Sequence, residues 1–235
     1  MRPLYRRNQE LEKQMIKYST PLIINGVSWW INNSLDRLFV TSICGVDANG
    51  LLAVAYKIPS ILVMFQTIFN QAWTMSVVQE YDRADKQGFL SKTYSVFSFV
   101  LSVVCGMILL FNIPIAKLLY AKGFYEAWQY SGFLVLSQLF SALSICISGV
   151  FDAVKDSKTL AWSTMLGAGI NTILNTILIP PLGILGAVLA TLIAHIIIWI
   201  YRMVKANTYI QLKIYIIRDL MVLLNNLVTK RREAL

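Results

Sequence analysis

Apolar residues recur along the chain in six long runs, and each run is long enough to form a helix that crosses a bilayer. About 20 apolar residues suffice, because an α-helix rises about 1.5 Å per residue. The predicted spans are residues 16–44, 51–78, 90–112, 129–152, 159–180 and 183–204. The pattern therefore predicts an all-α membrane protein with six transmembrane helices.

The first run carries a stripe of polar and aromatic side chains down one side. Asn25, Trp29, Asn32 and Asp36 fall within an arc of roughly 60° when successive residues are placed about 100° apart. A helix that faces only lipid has no use for such a stripe, since uncompensated polar groups in hydrocarbon are costly. The stripe therefore predicts a water-filled cavity or a partner helix on that side, and it points to transport.

A second polar stripe begins at Lys57 and continues along the second span. Its members at helical spacing are Ser60, Met64, Thr67, Gln71 and Thr74. Pro59 frees a backbone carbonyl, so a bend is expected there. Lys57 suits either the wall of an anion-attracting cavity or the outer headgroups. The amides and the indole of the two stripes, those of Asn25, Asn32, Gln71 and Trp29, suit sugar binding, although intramembrane amides also bond neighbouring helices.

Composition and charge support the membrane assignment and predict an orientation. The chain is 57% hydrophobic and only 14% charged, with a mean hydropathy of +0.60. Its net charge of +9 comes from residues between the apolar runs, so nucleic-acid binding is not expected. Only four of the 21 basic residues fall on one side of the predicted membrane: Arg37, Lys57, Lys117 and Lys122. The bias predicts that both termini are cytoplasmic.

Motifs of enzymatic chemistry are missing from the sequence. There is no nucleotide loop, no dinucleotide fingerprint and no nucleophile constellation, and the three cysteines stand singly in apolar segments. We therefore expect no enzyme activity, no catalytic residues, no cofactor and no metal site. Asp36 and Asp152 lie toward span ends, so a carboxylate that couples transport to a cation is expected outside this chain.

Two segments are predicted to lie along the membrane surface. Residues 114–129 are expected at the outer interface, and residues 209–228 on the cytoplasmic side. The predicted division is a linker-like segment 1–14, a six-helix lobe 15–205 and a basic tail 206–235.

Several segments resemble the C-terminal half of polysaccharide flippases in the multidrug/oligosaccharidyl-lipid/polysaccharide exporter superfamily. The matching stretches are Tyr18–Ile23, Ser34–Arg37, Gly50–Pro59, Phe69–Trp73 and Gly183–Val188. Their order and spacing across residues 15–205 carry the resemblance. It implies one lobe of a MATE-like fold, a partner lobe in a separate chain or a homodimer, and a place in the bacterial cytoplasmic membrane.

The resemblance also implies a function. The family moves lipid-linked oligosaccharides between leaflets by alternating access, for the assembly of cell-surface polysaccharides. Candidate cavity residues on this reading are Asn25, Trp29, Asn32, Asp36, Arg37, Lys57 and Gln71, with Arg37 attracting pyrophosphate and Asp36 restraining it. A multidrug antiporter lobe and a non-transporting remnant or accessory subunit remain as alternatives.

Three further polar residues are interpreted as packing groups. Asn171 and Asn175 follow Ser163 and Gly167 on one helix face, and His195 continues a face of small residues. Such faces mostly bring helices together, although His195 could also relay protons.

Overall fold

The computed structural model describes residues 9–82 and 89–209, and these residues form helices without any strand. In chain order the helices are α1 (Gln9–Cys44), α2 (Val46–Ala55), α3 (Pro59–Asp82), α4 (Phe89–Leu110), α5 (Asn112–Leu119), α6 (Trp128–Ala153), α7 (Ser157–Leu182) and α8 (Ile184–Ala206). A short 3-10 helix, Lys122–Ala127, precedes α6. The predicted interfacial segment 209–228 lies outside the described residues from position 210 onward.

The second predicted span is a bent pair of helices rather than one rod. The axes of α2 and α3 differ by 52° across the break before Pro59. This bend is the one expected from the missing N–H of proline. The predicted spans leave residues 45–50 as a connection, and this is wrong, because α2 already begins at Val46 and only Gly45, at φ 92°, separates it from α1. Glycine tolerates that backbone conformation without strain.

The turn between the last two spans is also tighter than the sequence suggested. Helix α7 runs through Pro180 and Pro181 to Leu182, and Gly183 alone makes the turn at φ 58°. In the first turn of α8, a Cβ atom on Gly186 would lie 2.3 Å from the Leu178 carbonyl oxygen. Glycine at this position therefore allows α7 and α8 to pack backbone to backbone.

Helix α6 forms the centre of the lobe. It packs against α3, α4 and α8, while α1 packs mainly against α7. Its most apolar stretch is 72% buried, compared with 28% for α7. Side chains of α6 such as Leu139, Leu143 and Ile147 therefore form the middle of the apolar core.

Four helices of the described part are long and apolar enough to cross a membrane, and five if the bent α2–α3 pair counts as one crossing. Helices α4, α6, α7 and α8 each match a predicted span to within two residues at either end. The protein is thus a multi-pass membrane protein. Helix α1 does not meet the same criterion, so a sixth span and the cytoplasmic position of the termini remain predictions.

Candidate functional site

The polar stripe of α1 lies inside the lobe, between α1, α7 and α8. Asn32 and Asp36 are 1% and 2% exposed. Asn25 accepts a hydrogen bond from Thr164 of α7, and Trp29 lies 5.8 Å from the His195 ring of α8, centroid to centroid. The sequence allowed either a water-filled cavity or a partner helix beside this stripe, and the structure shows partner helices.

Asp36 is held by two neighbouring helices. Its Oδ1 accepts a hydrogen bond from Asn175 Nδ2 at 2.6 Å, and its Oδ2 accepts one from the Thr191 hydroxyl. Asn175 also donates to Asn171 Oδ1 at 3.0 Å. Asn175 therefore has a role besides packing, because it donates a hydrogen bond to a buried carboxylate, and Asn171 accepts a hydrogen bond from Asn175. We call Asp36, Asn171, Asn175 and Thr191 the Asp36 cluster.

The Asp36 cluster has hydrogen-bonding capacity beyond its internal bonds. Asn175 Oδ1 and Asn171 Nδ2 are buried, and neither has a partner among the described residues. Buried polar atoms without partners are uncommon because each costs about 1–3 kcal/mol. The free oxygen of Asn175 beside the Asp36 carboxylate can accept a hydrogen bond from a protonated carboxyl, whereas the free Asn171 Nδ2 is a donor. Asp36, which the sequence placed toward a span end, is buried between α1, α7 and α8, and the expectation that a coupling carboxylate lies outside this chain stays a prediction.

His195 joins α1, α6 and α8 through both ring nitrogens. Its Nδ1 lies 3.2 Å from the Ser137 carbonyl oxygen, and its Nε2 lies 3.3 Å from Asn32 Nδ2. A carbonyl can only accept and an amide N–H₂ can only donate, so the partners assign a neutral ring protonated at Nδ1. This is the arrangement expected of a packing histidine.

Arg202 is a buried charge that the sequence analysis counted among the cytoplasmic residues. Its guanidinium donates to Ser163 Oγ at 2.8 Å, Thr164 Oγ1 at 2.9 Å and the Ser144 carbonyl at 3.3 Å. It is 1% exposed. The sequence did indicate an interior position for Arg202, because Arg202 follows His195 by two helical turns on the same face of α8.

Arg37 points away from Asp36 into an open cavity at the opposite end of the lobe from Arg202. The cavity has a volume of about 610 Å³ and is lined by Trp30, Ser34, Arg37, Leu38, Thr41, Asn49 and Tyr56. The guanidinium carbon of Arg37 lies 5.9 Å from the Tyr56 ring centroid. We call this space the Arg37 cavity. Asp36 does not restrain Arg37, because both carboxylate oxygens are engaged by α7 and α8.

The second stripe lies on the outer surface of the lobe. Lys57, Ser60, Thr67 and Gln71 are exposed, and Met64 is 69% exposed. The hydroxyls of Ser60 and Thr67 donate to carbonyls of their own helical segment, those of Lys57 and Val63, at 2.6 and 2.8 Å. No such bond is formed by Gln71, so its exposed amide can bond a polar neighbour outside the described residues.

The candidate residues therefore fall into two groups. The first group, Asn25, Trp29, Asn32 and Asp36, is half-buried or buried and contacts α7 or α8, whereas Arg37, Lys57 and Gln71 are exposed. The Arg37 cavity uses the adjacent face of α1, represented by Trp30, Ser34 and Thr41. Together with Arg37, these positions follow one another by three or four residues, but their mixed chemistry hid them in the sequence.

A comparison with protein-family models matches residues 21–177 to the MatE family. Among curated proteins, an uncharacterized membrane protein of Methanocaldococcus jannaschii is 25% identical over 192 residues. The match covers 79% of this chain and 44% of that protein. The chain thus spans less than half the length of this relative.

Solved structures share the fold. A multidrug resistance MATE family transporter of the MOP superfamily in an outward-facing conformation superposes with a TM-score of 0.68 at 19% identity. A MATE protein in the straight conformation gives 0.73 at 18% identity. A MOP superfamily transporter from Pyrococcus furiosus, described as having a binding pocket of reversed polarity, gives 0.68. Each match covers 87% of this chain and 47% to 49% of the solved chain.

Proposed function

This chain belongs to the MatE family, and from that premise we propose that it forms one lobe of a two-lobe transporter for lipid-linked oligosaccharides. The observation that carries the proposal is the Arg37 cavity, an open space that combines a cation, aromatic faces and hydroxyls. The family match supports transport, and the length of the relatives supports a second lobe of similar size.

The chemistry of the Arg37 cavity favours an anionic substrate that bears sugars. A guanidinium binds phosphate oxygens in a bidentate manner, and it keeps its charge at every physiological pH. Trp30 and Tyr56 offer aromatic faces for stacking on pyranose rings, while Ser34, Thr41 and Asn49 offer hydrogen bonds. Lys57 stands at the bend between α2 and α3 and adds a second cation to the same end of the lobe.

Alternating access needs two lobes that rock about a central site. In this chain the exposed face of α3, with Gln71 at its middle, is the surface available to the second lobe, and it also exposes apolar residues such as Met64 and Ile68. The lipid tail stays in the bilayer. The Asp36 cluster supplies a place where a proton or a small cation drives the cycle.

A multidrug antiporter is the second candidate, and one observation favours it. Asp36 is a buried carboxylate in the interior of the lobe, and such groups mark ion pathways in transporters. Cationic drugs, however, need negative charge where they bind. The groups that line the Arg37 cavity include a cation and no carboxylate.

The test is leaflet-resolved quantification of lipid-linked oligosaccharide in cells that lack this chain. Reintroducing the intact chain is expected to clear the cytoplasmic leaflet, and the R37Q/K57Q variant is expected to fail although it inserts normally. The matched control is K117Q/K122Q, which removes two lysines from the same side of the predicted membrane. Normal clearance by R37Q/K57Q would overturn the site, and drug sensitivity without glycolipid accumulation would favour the antiporter.

A further inference from the structure

A second cavity opens at the end of the lobe where α6 connects to α7. It has a volume of about 520 Å³, and lysines from two separate segments line it: Lys17 from α1, and Lys155 and Lys158 from the α6–α7 connection and the start of α7. Leu11, Met15 and Tyr18 of α1 supply apolar wall. We call this space the basal cavity. The charge bias of the sequence assigns this end of the lobe to the cytoplasm.

Two carboxylates, those of Asp152 and Asp156, also line the basal cavity. Asp156 accepts hydrogen bonds from the Thr159 N–H at 3.2 Å, the Thr159 hydroxyl at 2.6 Å and the Tyr209 hydroxyl at 3.2 Å. The three lysines outnumber the two carboxylates, so the lining carries a net positive charge.

Lys155 occupies a backbone position where glycine is normally preferred. Its φ is 57°, its N–H bonds to the Asp152 carbonyl at 3.2 Å, and the next N–H, that of Asp156, bonds to the Phe151 carbonyl at 2.8 Å. These two bonds define a Schellman motif at the end of α6, with Lys155 at the left-handed position. A residue with a Cβ atom costs roughly 1 kcal/mol there compared with glycine.

Lys155 is the one residue other than glycine with a positive φ in the described part of the chain. The two glycines, Gly45 and Gly183, have ψ values of 174° and −133°, outside the αL region. The side chain of Lys155 brings a positive charge to the edge of the basal cavity.

We propose that the basal cavity binds the phosphate of an anionic phospholipid from the cytoplasmic leaflet. Lys17, Lys155 and Lys158 contact the phosphate, and Leu11, Met15 and Tyr18 pack against the glycerol and the first acyl carbons. The mixture of lysines and apolar side chains favours a lipid over a soluble anion, because lysine stems and apolar walls both fit the headgroup boundary. This inference does not depend on the identity of the transported substrate.

The experiment uses the full chain purified in a neutral detergent and titrated with phosphatidylglycerol or with phosphatidylcholine. Thermal unfolding and native mass spectrometry report binding. Phosphatidylglycerol is expected to raise the unfolding temperature of the intact chain, whereas phosphatidylcholine does not. The K155G/K158Q variant is expected to bind phosphatidylglycerol on the order of 30-fold more weakly, since each lysine near a headgroup contributes about 1 kcal/mol.

The single variant K155G separates lipid binding from folding. Glycine relieves the left-handed backbone, so the lipid-free unfolding temperature is expected to stay equal or rise while lipid binding falls. The control K117Q/K122Q removes two lysines from the opposite end and should bind as the intact chain does.

Three results would overturn the proposal. The first is equal stabilisation of the intact chain by the two lipids, and the second is unchanged phosphatidylglycerol binding by K155G/K158Q. The third is equal stabilisation by glycerol phosphate without acyl chains, which would identify the site as one for a soluble phosphate.

Discussion

The two polar stripes of this chain have the same helical spacing and opposite environments. The stripe on α1 is enclosed by α7 and α8, and its buried members bond across helices. The stripe on α3 faces outward, and its hydroxyls bond to carbonyls of their own helix. The inner stripe therefore holds the lobe together, while the outer stripe is available to a second lobe or a substrate.

The difference teaches what a polar stripe predicts in a membrane helix. Its spacing indicates that lipid is not the neighbour, but it carries no information about which neighbour replaces lipid. Side chains able to bond within their own helix, such as Thr67, tolerate either environment. Only groups that cannot do so, such as Asp36 and Gln71, require a polar partner elsewhere.

The largest loss of stability is expected when Asp36 is replaced by leucine. Asp36→Leu removes the acceptor for Asn175 and Thr191 in a buried site, which costs about 2–4 kcal/mol of unfolding free energy. Denaturant unfolding in detergent micelles measures it. A leucine variant more stable than the intact chain would mean that the carboxylate is retained for function at the expense of stability.

A smaller loss of stability is expected at Arg202, and its size depends on whether the substitution keeps the buried charge. Arg202→Lys keeps a buried cation but cannot reach Ser163, Thr164 and the Ser144 carbonyl together, so it should cost about 2–3 kcal/mol. Arg202→Met removes the charge and should cost less. Thermal unfolding of the two variants side by side tests this order, and the reverse order would show that the hydrogen bonds matter less than the charge.

Removing the hydrogen bond between Asn32 and His195 should lower the free energy of unfolding by a moderate amount. Asn32→Leu removes the donor to His195 Nε2 and is expected to cost about 1 kcal/mol. The measurement is again the free energy of unfolding, with Ser34→Ala on the open side of α1 as the control. If both variants were equally stable, the interior network at this level of α1 would not support the fold.

The smallest effect on stability is expected on the outer stripe. Gln71→Leu should change the free energy of unfolding by less than about 0.5 kcal/mol, because the side chain is exposed. Oligosaccharide export should nevertheless fall, since Gln71 stands on the surface proposed to meet the second lobe. Ile68→Leu on the same helix is the control. Unchanged export by Gln71→Leu would place this face against lipid.

The positions of the helices were predictable from the sequence wherever a long apolar run alone defines the helix. Helices α4, α6, α7 and α8 begin and end close to the predicted limits because each is a long apolar run. The turns were less predictable. Residues 45–50 carry Asp, Asn and Gly, which are common in loops, yet α2 starts at Val46 because Gly45 alone can reverse the backbone. The residue types of a segment indicate that a turn is favoured there, but they do not indicate how many residues the turn needs.

The candidate site was predicted in part. The α1 stripe was recognised as one group, and its interior position follows from α7 and α8, which lie more than 100 residues away along the chain. Arg202 was counted only among the basic residues on the cytoplasmic side of the last predicted span. Its burial depends on Ser163, Thr164 and Ser144, which come from two other helices.

The sequence by itself determined that the chain is a helical membrane protein, since the length and composition of its apolar runs leave few other folds. It also determined which residues share a helix face, because that depends only on the helical period. Only the tertiary structure decided which face is closed, since closure depends on the packing of helices distant in sequence. For this reason Asp36 lies in the interior while Arg37, one residue later and about 100° around the helix, lines an open cavity.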